Sequence, residues 1–255
     1  MKKIFTLALA AVLSCAMFTG CGKKANADAA AEGKPLRMIT EATFPPYEFL
    51  RGQEIVGIDV EIVKAVAEKL GRPFQAETVD FDSVIPAVIS GKADIAAAGI
   101  TVTEDRKQNV DFSIPYVTTG IVIIYKKSAP ITTAEAAKGK RIAVQGGTTS
   151  DTFVLENLGQ EPERFRSPAE AVAALKAGRA DLVIADIDPA KNCVKGEEDL
   201  ALTDFVTSES YAVAIKKGQP ELLKVIDETI DEMIKSGRLD EIVAAYTAEA
   251  DALKD

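Results

Sequence analysis

The sequence predicts an α/β fold built from two similar halves, and an internal repeat is the main observation behind this prediction. Residues 83–99 (SVIPAVISGKADIAAAG) and 170–186 (EAVAALKAGRADLVIAD) each combine an apolar helical pattern, a Gly-basic-Ala-Asp turn and a small apolar strand. Helices that alternate with strands favour mainly parallel sheets. Ligands of such sheets bind just beyond the carboxyl ends of the strands, so the repeat predicts a site between two lobes. The aligned strand ends are Gly99 and Asp186.

The first half opens with a strand and a proline-interrupted loop. Residues 36–40 form the apolar strand, and residues 41–47 (EATFPPY) form the loop, in which consecutive prolines exclude a helix. Apolar residues then recur at helical spacing. We predict that Asp59 caps this helix and that Gly71 ends it.

The repeated unit follows in the same half. Asp82 is the predicted cap of its helix, Gly91 is the predicted end, and residues 94–100 form the next strand. Thr103 then precedes a helical turn with acidic residues at its start. Because a Thr side chain can accept from the first free amides of a helix, we predict that Thr103 is an N-cap.

The second half repeats the order of elements. Residues 140–145 form a strand that runs into the loop 146–150 (GGTTS), and a helix follows. Ser167, Pro168 and Glu170 together predict a helix start, with serine as the cap, proline in the first helical position and glutamate completing a capping box.

Two similar extended runs bracket the second half. They are residues 121–127 (IVIIYKK) and 211–217 (YAVAIKK). If the chain leaves the first lobe through one run and returns through the other, the two strands form a hinge about which the lobes rotate. The alternative is that both are ordinary sheet strands in a single domain.

Composition excludes several classes of function. The 255 residues carry a net charge of −9 and include no His and no Trp. The absence of His excludes Ser-His-Asp and Cys-His catalysis and the usual His-based metal sites. The negative charge argues against nucleic acid as a partner. Cys193 is the single cysteine beyond the N-terminal region, so we expect no intramolecular disulfide, and we expect neither a metal nor a cofactor.

The N-terminus has the features of an export signal. Two lysines precede an apolar run, residues 4–18, that is too short to span a membrane, so we predict a signal peptide over residues 1–20. The sequence Thr-Gly-Cys-Gly at 19–22 resembles a bacterial lipobox and predicts lipidation of Cys21, although Phe18 replaces the usual leucine. A cut before Cys15 also fits the loose pattern, and an ordinary signal with an incidental Cys21 is the third reading. Residues 21–35 read as a flexible tether.

Five motifs along the chain resemble the family 3 extracellular solute-binding proteins, the amino-acid receptors of bacterial ABC importers. They are TFPPYEF at 43–49, GIDVEIVKAVAEKLG at 57–71, FDSVIPAVISGKADI at 81–95, GITVTEDRKQNVDFSIPY at 99–116 and GGTTS at 146–150. The resemblance implies a two-lobed α/β fold of the periplasmic-binding-protein type II class, with two hinge crossings. On this basis lobe 1 takes residues 36–119 and 213–255, and lobe 2 takes residues 120–212.

The resemblance also implies which residues bind the two charges of an amino acid. Arg106, with Thr101 and the strand end at Gly99, occupies the place that binds the ligand α-carboxylate, and a planar guanidinium suits this role because it forms two parallel hydrogen bonds. The alternative for Arg106 is an ordinary surface position. Asp186 occupies the place that binds the ammonium group. Asp188, two residues later, is its competitor, although a turn or cap role fits Asp188 better.

Further positions complete the implied site. Gly147 and Thr149 match the loop that receives the carboxylate from the second lobe at a helix start, and the alternative is a simple glycine turn. Phe44 matches an aromatic that stacks over the ligand, whereas Tyr47 is either its neighbour or a core residue. Glu41 lies where many family members sense the ligand side chain or ammonium, and as a solvated loop residue it would have no role.

The resulting expectation is a receptor without catalytic residues that closes on a polar or basic amino acid. We expect a monomer that is lipid-anchored outside the cytoplasm and that delivers its ligand to an ABC permease. The first alternative is an enzyme that resembles the cyclohexadienyl dehydratases, which act on prephenate or arogenate on the same scaffold, with Glu41 as the residue of interest. The second alternative is a sensory protein that passes its closed state to a membrane partner.

Overall fold

The computed structural model describes residues 33–252, which form a two-lobed α/β fold. The predicted signal peptide and Cys21 lie outside the described residues. The strands, in chain order, are β1 (Leu36–Thr40), β2 (Thr43–Phe44), β3 (Glu48–Arg51), β4 (Glu54–Val56), β5 (Phe74–Thr78), β6 (Ile95–Ala96), β7 (Val110–Phe112), β8 (Val117–Lys126), β9 (Ile142–Gln145), β10 (Glu163–Phe165), β11 (Leu182–Asp186), β12 (Leu200–Leu202), β13 (Thr207–Tyr211) and β14 (Ala214–Lys216).

Helices cover both sheets, and one 3-10 turn, Phe81–Ser83, precedes the second of them. The helices are α1 (Ile58–Lys69), α2 (Val84–Ile89), α3 (Glu104–Lys107), α4 (Ala134–Ala137), α5 (Thr149–Asn157), α6 (Pro168–Lys176), α7 (Ile187–Val194), α8 (Pro220–Lys235) and α9 (Arg238–Ala252). Among residues 33–252, none of these helices has the length and apolar character needed to span a membrane.

The sheet of the first lobe has the strand order β5-β1-β6-β14-β7. β1 is parallel to β5 and β6, whereas β14 is antiparallel to β6 and β7. Alternate residues of β1 contact opposite faces, since Met38 packs with α1, α8 and α9 and Ile39 packs with α2. Helices on both faces explain why the strands are apolar throughout. A small antiparallel sheet, β2-β3-β4, lies beside this core.

The sheet of the second lobe has the strand order β10-β9-β11-β8-β12, and β13 also pairs with β8. β9 is parallel to β10 and β11, while β8 runs antiparallel to its neighbours. Ile123 and Ile124 of β8 contribute to the two separate clusters on either face of this sheet. The sheet therefore has the same two-faced core as the sheet of the first lobe.

The chain crosses between the lobes near the start of β8 and the end of β13. These strands pair in antiparallel register from Val117 with Tyr211 to Ile121 with Thr207, and Thr101 of the first lobe bridges to Tyr211. The runs 121–127 and 211–217 fall largely on β8 and on the end of β13 with β14, and their role as a hinge pair stays a prediction. The lobe limits at 119/120 and 212/213 stay a prediction.

Helix caps show where local sequence signals were sufficient. Thr103 and Ser167 cap α3 and α6 as predicted, each accepting from a backbone N–H at 3.2 Å. The capping box differs in detail, because the carboxylate of Glu170 accepts from the backbone N–H of Arg166. The predicted caps at Asp59 and Asp82 are wrong.

Neither Asp59 nor Asp82 lies at the N-cap position predicted for it. Gly57 precedes α1, and Asp59 lies inside the helix with its carboxylate fully buried. Asp82 lies within the 3-10 turn, and α2 begins after Ser83 without a side-chain cap. The carboxylate of Asp59 is used instead by tertiary contacts.

Candidate functional site

The candidate site lies where strand ends from the two lobes face each other. In the first lobe, β1 ends just before Glu41 and β6 ends shortly before Gly99; in the second lobe, β9 ends before Gly147 and β11 ends at Asp186. Parallel strands present their carboxyl ends at one edge of a sheet, so each lobe contributes one such edge. Contacts between the edges bring most of the predicted site residues together.

Arg106 is the cation of this site and contacts both lobes. One guanidinium nitrogen donates to the carbonyl of Thr101 at 2.8 Å, and another donates to the carbonyl of Gly147 at 3.1 Å. Burial lowers the pKa of Arg106, while the negative Asp186 and Glu209 oppose that shift. A guanidinium has five N–H donors, so these two hydrogen bonds leave three for an anionic ligand.

Asp186 is the buried anion opposite. Its side chain is 6 % exposed, and its Oδ1 accepts from the hydroxyl of Tyr211 at 2.7 Å. Burial, and then the charge of Glu209, raise the pKa of Asp186 to about 7, although the Tyr211 hydrogen bond and Arg106 oppose the shift. A carboxyl group in this state becomes fully ionised when a cation binds next to it.

Thr101 and Thr149 join the two lobes through a third residue. The hydroxyl of Thr101 donates to Oε2 of Glu209 at 2.7 Å, and the hydroxyl of Thr149 donates to the same oxygen at 2.9 Å. Thr149 is the first residue of α5, which Thr148 caps. The N–H of Gly147 is also engaged, since it donates to Asp151 at 3.1 Å.

Glu41 follows β1 and is buried, not solvated. It is 5 % exposed, and its Oε1 accepts from the hydroxyl of Thr43 at 2.6 Å, whereas Oε2 has no hydrogen-bond partner among residues 33–252. Burial raises the pKa of Glu41, and the hydrogen bond from Thr43 and the nearby side-chain amide of Gln145 oppose the shift. Gln145 ends β9, so a residue of each lobe borders this acid.

Phe44 and Gly99 pack against each other. Gly99 has φ +55°, and a Cβ there would lie 2.7 Å from Cε1 of Phe44. The ring of Phe44 also meets Tyr47 and Tyr211, at centroid distances of 5.9 and 6.3 Å. Both the backbone conformation and the space beside Phe44 therefore favour glycine at this position after β6.

Sequence patterns did not indicate the buried acids behind Gly99. Asp59 accepts from the N–H of Gly99 at 2.9 Å and from the hydroxyl of Tyr116 at 2.6 Å, and burial raises its pKa to about 6. Glu48 is fully buried, and burial and then the charge of Asp59 raise its pKa well above its usual range. Asp59 carried only the local pattern of a helix cap, and the only signal of Glu48 was an acidic residue between aromatic neighbours.

Tyr47 and Asp188 form a direct contact between the lobes. The Tyr47 hydroxyl donates to Oδ2 of Asp188 at 2.7 Å, and the Asn192 side chain donates to the carbonyl of Pro45 at 2.8 Å. Asp188 also pairs with Lys191 within α7. Tyr47 is thus a core residue with its hydroxyl at the lobe boundary. Across residues 33–252, no group of three or more His, Cys, Asp or Glu side chains is arranged to hold a metal ion.

Comparison with known proteins extends over nearly the whole chain. The family described as "Bacterial extracellular solute-binding proteins, family 3" matches residues 36–249. The chain is 33 % identical to a probable histidine-binding protein of Neisseria gonorrhoeae, over 98 % of this chain and 97 % of that protein.

Solved structures give the same result for the fold. An ancestral arginine-binding protein bound to arginine is 39 % identical, with a TM-score of 0.77, and the match covers 84 % of this chain and 98 % of that one. The ancestral amino-acid-binding protein AncCDT-1, a precursor of cyclohexadienyl dehydratase, is 34 % identical, with a TM-score of 0.78. That match covers 86 % of this chain and 97 % of the other. The chain therefore belongs to the bacterial extracellular solute-binding proteins of family 3.

Proposed function

We propose that this protein is the substrate-binding component of an ABC importer and that its two lobes close on a polar or basic amino acid. The observation that carries the proposal is the pairing of opposite charges across the lobes, with Arg106 on one side and the buried Asp186 on the other. A free amino acid carries the complementary pair of charges. Neither lobe by itself supplies both partners.

The carboxylate end of the ligand is assigned to Arg106, with Thr101, Gly147 and Thr149 beside it. The three uncommitted N–H groups of Arg106 support bidentate binding of a carboxylate, which strengthens the contact and fixes its direction. The contact between Arg106 and the carbonyl of Gly147 supports this assignment, because it brings the loop of the second lobe next to the guanidinium.

The ammonium end is assigned to Asp186 in preference to Asp188. Asp186 is buried and has a raised pKa, so a bound ammonium offsets the unfavourable burial of its charge. Asp188 already accepts from Tyr47 and pairs with Lys191, which supports a role at the lobe boundary.

The side-chain end is assigned to Glu41, with Phe44 and Gly99 shaping the wall. In the part of the chain that the structure describes, Oε2 of Glu41 is buried without a donor, and such an atom is satisfied by a ligand that carries N–H groups. A guanidinium, an imidazole or an amide meets this requirement. The arginine- and histidine-binding relatives carry ligands of this chemistry in their descriptions.

The attachment and the assembly complete the proposal. Residues 1–20 serve as a signal peptide, Cys21 is lipidated, and residues 21–35 tether a monomer to the cell membrane, in the periplasm or at the cell surface. The lobes span residues 36–119 with 213–255, and residues 120–212. The family match supports an extracytoplasmic location and delivery to a permease.

A dehydratase is the second candidate, and one observation favours it. Burial raises the pKa of Glu41, which is the direction of shift that favours a carboxyl group as a proton donor. A likeness to the precursor of cyclohexadienyl dehydratase supports retaining this candidate.

A ligand screen tests both candidates. Protein unfolded in denaturant, dialysed and refolded to remove carried ligand is heated with each of the twenty amino acids, cystine, ornithine, prephenate and arogenate. A receptor is stabilised by one or a few amino acids, which chromatography recovers unchanged. Consumption of prephenate or arogenate would establish the enzyme instead, and no stabilisation by any amino acid would refute the receptor.

A further inference from the structure

Glu209 is an acidic residue at the predicted carboxylate end of the site that no sequence motif indicated. It lies on β13, one of the two strands that join the lobes. Its Oε2 accepts hydrogen bonds from Thr101 at 2.7 Å and from Thr149 at 2.9 Å. One carboxylate oxygen thus holds a hydroxyl from each lobe.

These two hydroxyls are the ones assigned above to the ligand carboxylate. A threonine hydroxyl has a single hydrogen to donate. While Thr101 and Thr149 donate to Glu209, neither can donate to a second carboxylate. The carboxylate of Glu209 and that of an amino acid therefore compete for the same two donors.

The negative charge of Glu209 also opposes binding of a ligand carboxylate. Glu209 is close enough to raise the pKa of Asp186 and to interact with Arg106. A ligand carboxylate next to Arg106 would therefore approach a like charge at short range. That approach is unfavourable unless Glu209 moves away.

The surroundings of Glu209 leave space for such a movement. Its side chain is half-buried, and it borders an open groove of about 530 Å³. The groove is also lined by Arg106, Thr149 and the exposed Glu156. Glu209 can turn towards the solvent in this groove without displacing a core residue.

We propose that Glu209 is a built-in competitor for the carboxylate end of the site, which the ligand must displace from Thr101 and Thr149. The proposal rests on the proposed function. It assigns to Glu209 a role in setting affinity: the residue holds the two hydroxyls ready and weakens binding, so that ligand can be released at a permease.

Calorimetry with L-arginine as the probe tests the proposal. The Kd is measured for the refolded wild type, Glu209→Gln, Glu209→Ala and the matched control Glu156→Gln, which removes the same charge from the same groove. Glu209→Ala frees both hydroxyls, so we expect its Kd to fall about tenfold, equivalent to roughly 1.4 kcal/mol. Glu209→Gln keeps an acceptor but removes the charge, so its Kd falls less. The Kd of Glu156→Gln stays within about twofold, because that residue contacts neither threonine.

A double-mutant cycle with Thr149→Val separates competition from a general effect of charge. Competition requires that Glu209→Ala tighten binding less in the Thr149→Val background than in the wild type. An equal gain in both backgrounds, or a weaker affinity in Glu209→Ala, would overturn the proposal, and the latter would make Glu209 a positioning residue. A wild type that binds no amino acid in the screen would refute the proposed function itself. Thermal unfolding of each variant confirms that the compared proteins are folded.

Discussion

Binding of an amino acid is expected to release a proton from Asp186, and replacing this residue by asparagine removes the effect. Asparagine keeps an oxygen that can accept from the hydroxyl of Tyr211, so the substitution changes the charge and preserves the shape. The pKa of Asp186 is about 7, because burial and then the nearby Glu209 disfavour its charged form. A ligand ammonium favours the charged form.

The size of the expected change in Kd with pH follows from the pKa of Asp186. Below pH 7 the free protein holds a proton on Asp186 that binding must remove, so the Kd rises about tenfold for each pH unit. We expect the wild-type Kd for its ligand to rise about a hundredfold between pH 8 and pH 5. The Kd of Asp186→Asn is higher than that of the wild type at pH 8 and nearly independent of pH.

As the pH rises, the stability of the ligand-free protein falls while its affinity for the ligand rises. Because the pKa of Asp186 is raised from 3.8 to about 7, the folded protein binds more protons than the unfolded chain between those pH values. The free energy of unfolding without ligand therefore falls as the pH rises through this window, by up to about 4 kcal/mol. Asp186→Asn removes this loss, so the variant is more stable than the wild type at pH 8 even though it binds ligand less tightly.

Calorimetry in two buffers of different ionisation enthalpy measures the proton release directly at pH 6. Asp188→Asn is the matched control, since it changes a neighbouring acid that contacts Tyr47. We expect this control to keep the wild-type pH dependence. A wild-type Kd that is constant from pH 5 to pH 8, or an unchanged slope in Asp186→Asn, would show that the ammonium contact lies elsewhere.

Three further substitutions test other parts of the site. Arg106→Ala is expected to raise the Kd by at least about a hundredfold, since the charge assigned to the ligand carboxylate is lost, while the melting temperature stays near that of the wild type. Unchanged affinity in calorimetry would exclude Arg106 from the site. Gly99→Ala is expected to destabilise the fold by about 2 kcal/mol or more, because φ is +55° and the added Cβ meets the ring of Phe44 at 2.7 Å. The control Gly91→Ala has open space around its Cβ and is expected to lose about 1 kcal/mol. Equal losses in chemical denaturation would contradict the steric reason. Tyr47→Phe removes the hydrogen bond between the lobes to Asp188. It is expected to reduce the closed population, which X-ray scattering measures, and to weaken ligand binding by about fivefold, or roughly 1 kcal/mol. An unchanged scattering profile and Kd would show that this contact does not hold the lobes together.

Some features of the site were within reach of the sequence. The repeat of helix, glycine turn and small strand pointed to Gly99 and Asp186, and both lie at the candidate site. β11 ends at Asp186 as predicted, whereas β6 covers only Ile95–Ala96 of the predicted strand 94–100 and ends before Gly99. The caps at Thr103 and Ser167 were also predicted correctly. These features depend on residues within a few positions of one another, and periodicity and capping chemistry act over that range.

Other features required the folded chain. Asp59 has the local pattern of a cap, yet its carboxylate binds the N–H of Gly99, 40 residues away. Glu209 meets Thr149 over a separation of 60 residues, and Tyr47 meets Asp188 over 141. No local pattern encodes which distant side chains will share a buried space.

The sequence by itself determined the α/β class, the helix starts at Thr103 and Ser167 and the edges at which binding groups collect, because apolar periodicity and turn chemistry act between near neighbours in the chain. Only the tertiary structure decided which acids are buried, which of them carry raised pKa values and which hydroxyls Glu209 holds. Desolvation and hydrogen bonding depend on distances in space, and those distances exist only once the two sheets are packed and the two lobes face each other.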